Sequence, residues 1–341
     1  MISVEGVTKR YGSVTAVDGL SFEVGVGEVV GFLGPNGAGK TTTMRMITGT
    51  LQPDEGRILF DGEPIADNLT EAKRRVGYLP EANPLYDEML VVEYLEHVAD
   101  LRAMSAAEAR AGIANAAEET GLDAVFFRPI GECSKGYRQR IGLAAAILHH
   151  PEILVLDEPT EGLDPNQRVE IRRLVSDLGR RRTVLLSTHV MQEVEATCSR
   201  LVILHRGKLR KQGTAEELRA DREGIASYVV ELARGEDNVA GSEGAESSAA
   251  IHGALGALDG VASVKVESAN GRTRARLESR PGAEHLGPEI FALTRDRGWT
   301  LWEMRRESDS LEDVFRELTR DGDADLLQTT IEEAGVTEED S

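Results

Sequence analysis

Residues 34–41 read Gly-Pro-Asn-Gly-Ala-Gly-Lys-Thr, a glycine-spaced run closed by an amine and a hydroxyl. Such spacing turns successive backbone N–H groups toward phosphate oxygens, brings the lysine to the terminal phosphates and offers the threonine hydroxyl to Mg²⁺. Gly34, Pro35, Asn36, Gly37, Ala38, Gly39, Lys40, Thr41 and Thr42 are therefore the expected phosphate cradle. Further along, "ILVLDEP" (153–159) ends an apolar run on two carboxylates. There Asp157 is placed to hold Mg²⁺ through water and Glu158 to polarise a water attacking a γ-phosphate. His189 closes a third run, "TVLLSTH" (183–189), at a position from which it could contact the same phosphate. A fourth stretch, "GECSKGYRQRIGLA" (131–144), has the form of a helix start. Ser134 supplies a hydroxyl and Gly136 a bare N–H, the dipole behind them favours an anion, and Arg138 and Arg140 follow. One chain thus carries two separate features suited to phosphate.

These residues need elements to hold them. The runs "VVGFL" (29–33), "ILVL" (153–156) and "TVLLS" (183–187) are apolar without alternation, which implies strands buried on both faces in a parallel sheet under helices, hence an α/β fold. Residues 88–120 are rich in Ala, Glu, Leu and Met at spacings of three and four, and predict helices; with the helix start at 134 they suggest a helical subdomain over about 88–145. The nucleotide-binding domain is expected to end near residue 220. The texture then changes: "SYVVEL" precedes a Gly-, Ser- and acid-rich segment, 235–250, read as flexible. Beyond it come a helix near 251–258, strands "VASVKVES" and "RTRARLES", a helix near 283–297 and the strand "WTLWEMR". Residues 221–320 thus read as a small α+β domain. The tail, 321–341, holds eight acidic residues and no Lys or Arg, a composition expected to stay disordered.

The formal net charge of −20 argues against a general nucleic-acid binder, which needs a basic surface to neutralise phosphate. Two cysteines, Cys133 and Cys198, lack metal-ligand spacing and fit a reducing compartment. The amino terminus shows no secretory leader pattern, and no apolar run approaches the roughly 20 residues of a spanning helix. Any membrane association is therefore expected to pass through a partner, without direct insertion.

Taken in order, "GPNGAGKTT", "CSKGYRQR", "ILVLDEPTEGLDP" and "STH" resemble the Walker A, signature, Walker B with D-loop, and switch-histidine motifs of the nucleotide-binding subunits of ABC transporters. The resemblance covers about residues 1–220. It implies a P-loop NTPase of ABC type, with a RecA-like parallel core and a helical subdomain, that binds ATP and Mg²⁺. It further implies that Tyr11 stacks on adenine, that Asp164 lies at a subunit boundary, and that Ser134 and Gly136 reach the γ-phosphate held by a second subunit, most simply another copy. At the family's Leu-Ser-Gly-Gly-Gln signature this chain has Cys133, Ser134, Lys135, Gly136 and Tyr137, keeping the hydroxyl and the second glycine. At the Q-loop position stands Glu81, a carboxylate able to ligate Mg²⁺ but adding negative charge beside the phosphates.

"GYLPEANPLYDEM", "SKGYRQRIGLA" and "SLEDVFRELT" resemble the ATPases that partner ABC-2 type exporters, above all those of gliding-motility and multidrug-type systems. That resemblance implies a cytoplasmic subunit held at the inner face of the membrane by an integral permease. The competing expectation is an ABC ATPase acting without a permease, on ribosomes or chromosomes. Its translation-type relatives carry two nucleotide domains in one chain and its chromosome-type relatives a long coiled coil between Walker A and signature, neither of which this sequence shows. A third expectation, a regulatory protein sensing a ligand through residues 225–320, finds no binding motif there; a packing or dimer-stabilising role suits that domain better.

Overall fold

In the computed structural model the three apolar runs become neighbouring parallel strands. Val29–Leu33 lies between Thr183–Thr188 and Arg200–His205; Thr183–Thr188 pairs onward with Ile153–Asp157, and Val76–Leu79 closes that edge. Lys208–Gly213 adds one antiparallel strand at the opposite edge, completing a six-stranded sheet. Every residue of Ile153–Asp157 and Thr183–Thr188 is buried, as two-sided coverage requires. Alternate side chains feed different cores. Leu154, Leu156, Val184 and Leu186 pack with the helices Val91–Leu101, Ala106–Thr120, Lys135–Ile147 and Pro165–Gly179. Ile153, Val155, Leu185, Val30 and Phe32 pack with the helix Lys40–Ile47 and with a separate antiparallel sheet. That second sheet, in the order Val14–Val24, Ile2–Tyr11, Glu55–Phe60, Glu63–Pro64, was not foreseen from the sequence.

The structure describes residues 1–220, 226–234, 244–269, 272–280, 282–283, 285–307 and 311–320. The chain divides into two compact units, Met1–Ala215 and Glu216–Ser341, five residues before the boundary expected at 220. In the second unit, strands Val261–Ala269, Arg272–Ser279, Ser227–Arg234 and Trp299–Glu307 form an antiparallel sheet in that order. Tyr228, Val230, Leu232, Leu277, Ile251, Leu255 and Ile290 join this sheet to the helices Gly244–Gly256 and Gly287–Asp296. Here one expectation is corrected: residues 244–250, read as flexible, are the first turns of a helix whose Ile251 and Leu255 are buried against the sheet. The rest of that segment, 235–243, and the tail 321–341 lie outside the described residues.

The parallel core determines where ligands can sit. The loop 34–39, the carboxylates after Ile153–Asp157, His189 after Thr183–Thr188 and Glu81 after Val76–Leu79 all leave the carboxyl ends of parallel strands, the edge at which such sheets bind ligands.

Candidate nucleotide site

The phosphate loop uses glycine where no side chain fits. A Cβ at Gly34 would stand 2.6 Å from the Leu204 carbonyl, and one at Gly39, whose φ is +100°, would stand 2.6 Å from that of Ala16. The loop curls over Lys40, which opens the helix Lys40–Ile47 and is almost wholly buried. Its Nζ donates to the Gly34 carbonyl at 2.8 Å and faces Glu158 Oε1 at 3.3 Å.

Asp157 is completely buried and its two oxygens differ. Oδ1 accepts from Ser187 Oγ at 2.6 Å and from Thr41 Oγ1 at 3.3 Å; Oδ2 is buried with no hydrogen-bond partner. A carboxylate oxygen withdrawn from water demands a proton, a donor or a cation, and a hard divalent cation beside a threonine hydroxyl meets that demand. Thr41 and Asp157 therefore fit Mg²⁺.

Glu158 adopts φ +50°, the left-handed region that costs a non-glycine residue about 1–2 kcal/mol. Its N–H donates to Ser187 Oγ at 3.0 Å, which holds the turn, and its Oε2 lies 3.0 Å from His189 Nδ1. Lys40, Glu158 and His189 thus form one contiguous polar chain contributed by three strand ends.

These groups line a cavity of about 710 Å³ together with residues 36–42, Glu81 and Glu161, and with Val14, Thr15, Ala16 and Arg206 on the rest of its wall. Burial, the charges of Glu161, Asp157 and Glu158, and a hydrogen bond with Glu161 raise the Glu81 carboxyl above its ordinary value. The carboxylates of Glu81, Glu158 and Glu161 line the cavity together with Lys40 and Arg206.

Some expected residues stand elsewhere. Gly34 and Pro35 shape the loop through their carbonyls, both accepting from Lys40. Tyr11 ends its strand half-exposed and is not among the lining residues, whereas Val14, Thr15 and Ala16 are. Ser134, Gly136 and Asp164 also lie outside the lining. Ser134 caps Lys135–Ile147, accepting from the Tyr137 N–H, and Asp164 caps Pro165–Gly179, accepting from Gln167 N–H at 2.9 Å. Gly136 is buried, with the Gln167 side chain 3.1 Å from where its Cβ would be.

Sequence reasoning missed Ser187, Glu161 and Arg206. Glu161 sits inside the quoted "LDEPTEGLDP" and could have been weighed with its neighbours. Ser187 carried no local signal, because its role follows from its pairing opposite Asp157.

Comparison with known proteins agrees with this geometry. The sequence profile described as ABC transporter matches residues 17–161. The Nod factor export ATP-binding protein I of Burkholderia orbicola (strain AU 1054) is 43% identical over 218 residues, 64% of this chain and 72% of that protein. The uncharacterized ABC transporter ATP-binding protein YxlF of Bacillus subtilis (strain 168) is 38% identical over 223 residues, 65% and 74% of the two chains. Among solved structures, the dimeric post-hydrolysis state of an ATP-binding cassette bound to ADP and Pi superposes with a TM-score of 0.57 at 25% identity, covering 63% of this chain and 98% of that one. With its phosphate loop, buried aspartate and glutamate–histidine pair set at the ends of parallel strands, the chain belongs to the ATP-binding subunits of the ABC transporter family and is an ATPase of that family.

Proposed function

We propose that this ATPase powers an ABC-2 type exporter, working as a pair of identical copies on a separate integral-membrane permease that holds it at the cytoplasmic face. The observation that carries the paired arrangement is the position of residues 134–136. They combine a hydroxyl with the start of a 13-residue helix, whose first N–H groups have no partner within the helix, yet stand outside the chain's own phosphate cavity. A second copy whose residues 134–136 close over that cavity gives them a ligand. The export reading is supported by the resemblance of the loop around Glu81 and of residues 134–144, and by a relative named for Nod factor export.

Within one cavity the loop N–H groups and Lys40 bind the ATP phosphates. Glu158 takes a proton from the attacking water, and His189, bonded to Glu158 and lining the same cavity, orients that carboxylate within reach of the γ-phosphate. Mg²⁺ held by Thr41 and Asp157, with Glu81 as a further oxygen ligand, would neutralise phosphate charge. Tyr11 is the proposed adenine contact, and Asp164 is proposed to stand at the boundary between copies.

Exchange of two inactive chains tests the pairing. In a Glu158→Gln background, Lys40→Ala disables both sites of its own dimer from the loop side, and Ser134→Ala with Gly136→Asp disables both from the opposite side. A mixed dimer restores one intact site and should trap about one ATP. Mixed dimers confirmed by native mass spectrometry that trap no more than either parent would overturn the composite site. For the permease, the reading requires an integral-membrane protein to co-purify from detergent-solubilised membranes; recovery on ribosomes or chromosomes instead would favour an ATPase without a permease.

A further inference from the structure

The last residue pair joining Ile153–Asp157 to Thr183–Thr188 is Asp157 opposite Ser187. Glu158 and His189 both lie past it: the Glu158 N–H still bonds to the Ser187 carbonyl at 3.2 Å and hydroxyl at 3.0 Å, but no strand pairing fixes the residues beyond, Thr160 on one loop and His189 on the other. A buried carboxylate joins those two loops. Glu193, on the helix Met191–Thr197, is buried, and its Oε2 accepts from Thr160 Oγ1 at 2.6 Å and from Thr188 Oγ1 at 3.0 Å. Thr188 Oγ1 in turn accepts from the Val190 N–H at 3.0 Å, so the bonds grip the backbone on both sides of His189. Thr160 is buried and lies two residues beyond Glu158.

A carboxylate here is costly. Its neighbours Met191 and Val194 are buried, and its Oε1 is buried with no partner, so an apolar residue would suit the helix better. What the carboxylate supplies is one oxygen shared by two hydroxyls from two separate loops. We infer that Glu193 is a positioning residue for ATP hydrolysis: it ties the loop after Glu158 to the loop carrying His189 and so fixes the contact between those two groups. The inference rests on the reading of Glu158 and His189 as the hydrolytic pair.

The test compares Glu193→Ala with Glu193→Gln, and Thr160→Val with Thr188→Val, each of which removes one donor at nearly constant volume. Glu193→Ala should lower kcat by at least about tenfold while ATP affinity changes less than about twofold, and Glu193→Gln, whose amide oxygen can still accept both hydroxyls, should recover much of the loss. Each valine variant should reproduce part of the loss. In a His189→Ala background the same Glu193→Ala change should cost less than about twofold, because the contact it positions is already gone. A loss that multiplies with that of His189→Ala, or that tracks falling ATP affinity and melting temperature, would reduce Glu193 to a core residue and overturn the inference.

A second measurement does not depend on turnover. In protein labelled with ¹⁵N-histidine, Glu193→Ala should shift the His189 Nδ1 resonance and Glu193→Gln should return it. An unmoved resonance overturns the inference whatever the kinetics show. If instead Glu158→Gln and His189→Ala both keep parental turnover, the hydrolytic reading fails by itself, and the resonance still reports whether Glu193 sets the contact.

Discussion

Lys40 faces two kinds of partner inside one buried pocket, the carbonyls of its own loop and the carboxylate of Glu158. A polyphosphate entering the cavity offers that cation several anionic oxygens in place of one carboxylate, with the loop N–H groups to share them. Lys40→Ala is therefore expected to weaken ATP binding by at least about tenfold and to abolish hydrolysis, as read by nucleotide titration and phosphate release after contaminating ATPases are removed. Glu158→Gln should behave differently. The amide keeps the size and turn of the side chain but cannot take a proton, so turnover should fall by roughly two orders of magnitude or more while ATP remains bound. Parental turnover in that variant would dismiss Glu158 as the base.

Elements locate these residues through their packing, and one seam makes this measurable. His149, just beyond Lys135–Ile147, bonds through Nε2 to the Val76 carbonyl at 3.1 Å, joining the end of that helix to the edge strand Val76–Leu79. Burial, aided by the charge of Arg102, lowers its pKa to about 4 from an ordinary 6.5. Between those values the unfolded chain takes up a proton that the native one refuses, so stability is full above pH 6.5 and falls as the pH drops. Urea unfolding should show the native protein losing about 2 kcal/mol more than His149→Gln between pH 7.5 and pH 5. Equal losses would mean that the ring is hydrated. The sequence discloses such elements unevenly. Val29–Leu33, Ile153–Asp157 and Thr183–Thr188 are legible because burial on both faces leaves each an unbroken apolar run, with polar residues only at the ends. Residues 244–250 mislead because Ala, Ser and Glu suit a solvated segment and a helix alike, and docking of Ile251 and Leu255 decides between them. Thr160, Thr188 and Glu193 are invisible as a group, since the register of two strands brings them together and no local spacing records it.

At the scale of the whole chain, every residue lining the nucleotide cavity falls between Val14 and Arg206, and both cores beneath it are built from the first unit. A fragment ending at residue 220 should therefore fold and bind ATP, which circular dichroism and nucleotide titration would check. Removing only residues 321–341, acidic and without aromatic side chains, should leave hydrolysis nearly unchanged, and a large fall in melting temperature would show that they are docked. The order of the central sheet also bears on how the chain is made. One of its two central strands, Val29–Leu33, pairs on both sides with strands from late in the first unit, and the Gly27 N–H and Thr183 hydroxyl that meet at its foot are 156 positions apart. At roughly 5–20 residues per second, a ribosome needs on the order of ten to thirty seconds to supply those partners. Throughout that interval the nascent chain carries an apolar strand with both hydrogen-bonding edges open, a target for aggregation or for a chaperone. The helices Val91–Leu101, Ala106–Thr120 and Lys135–Ile147 contact one another over short sequence separations and can collapse first. The nucleotide pocket is consequently among the last parts of the first unit to form, since Lys40 and Glu158 meet only when Val29–Leu33 is finally inserted.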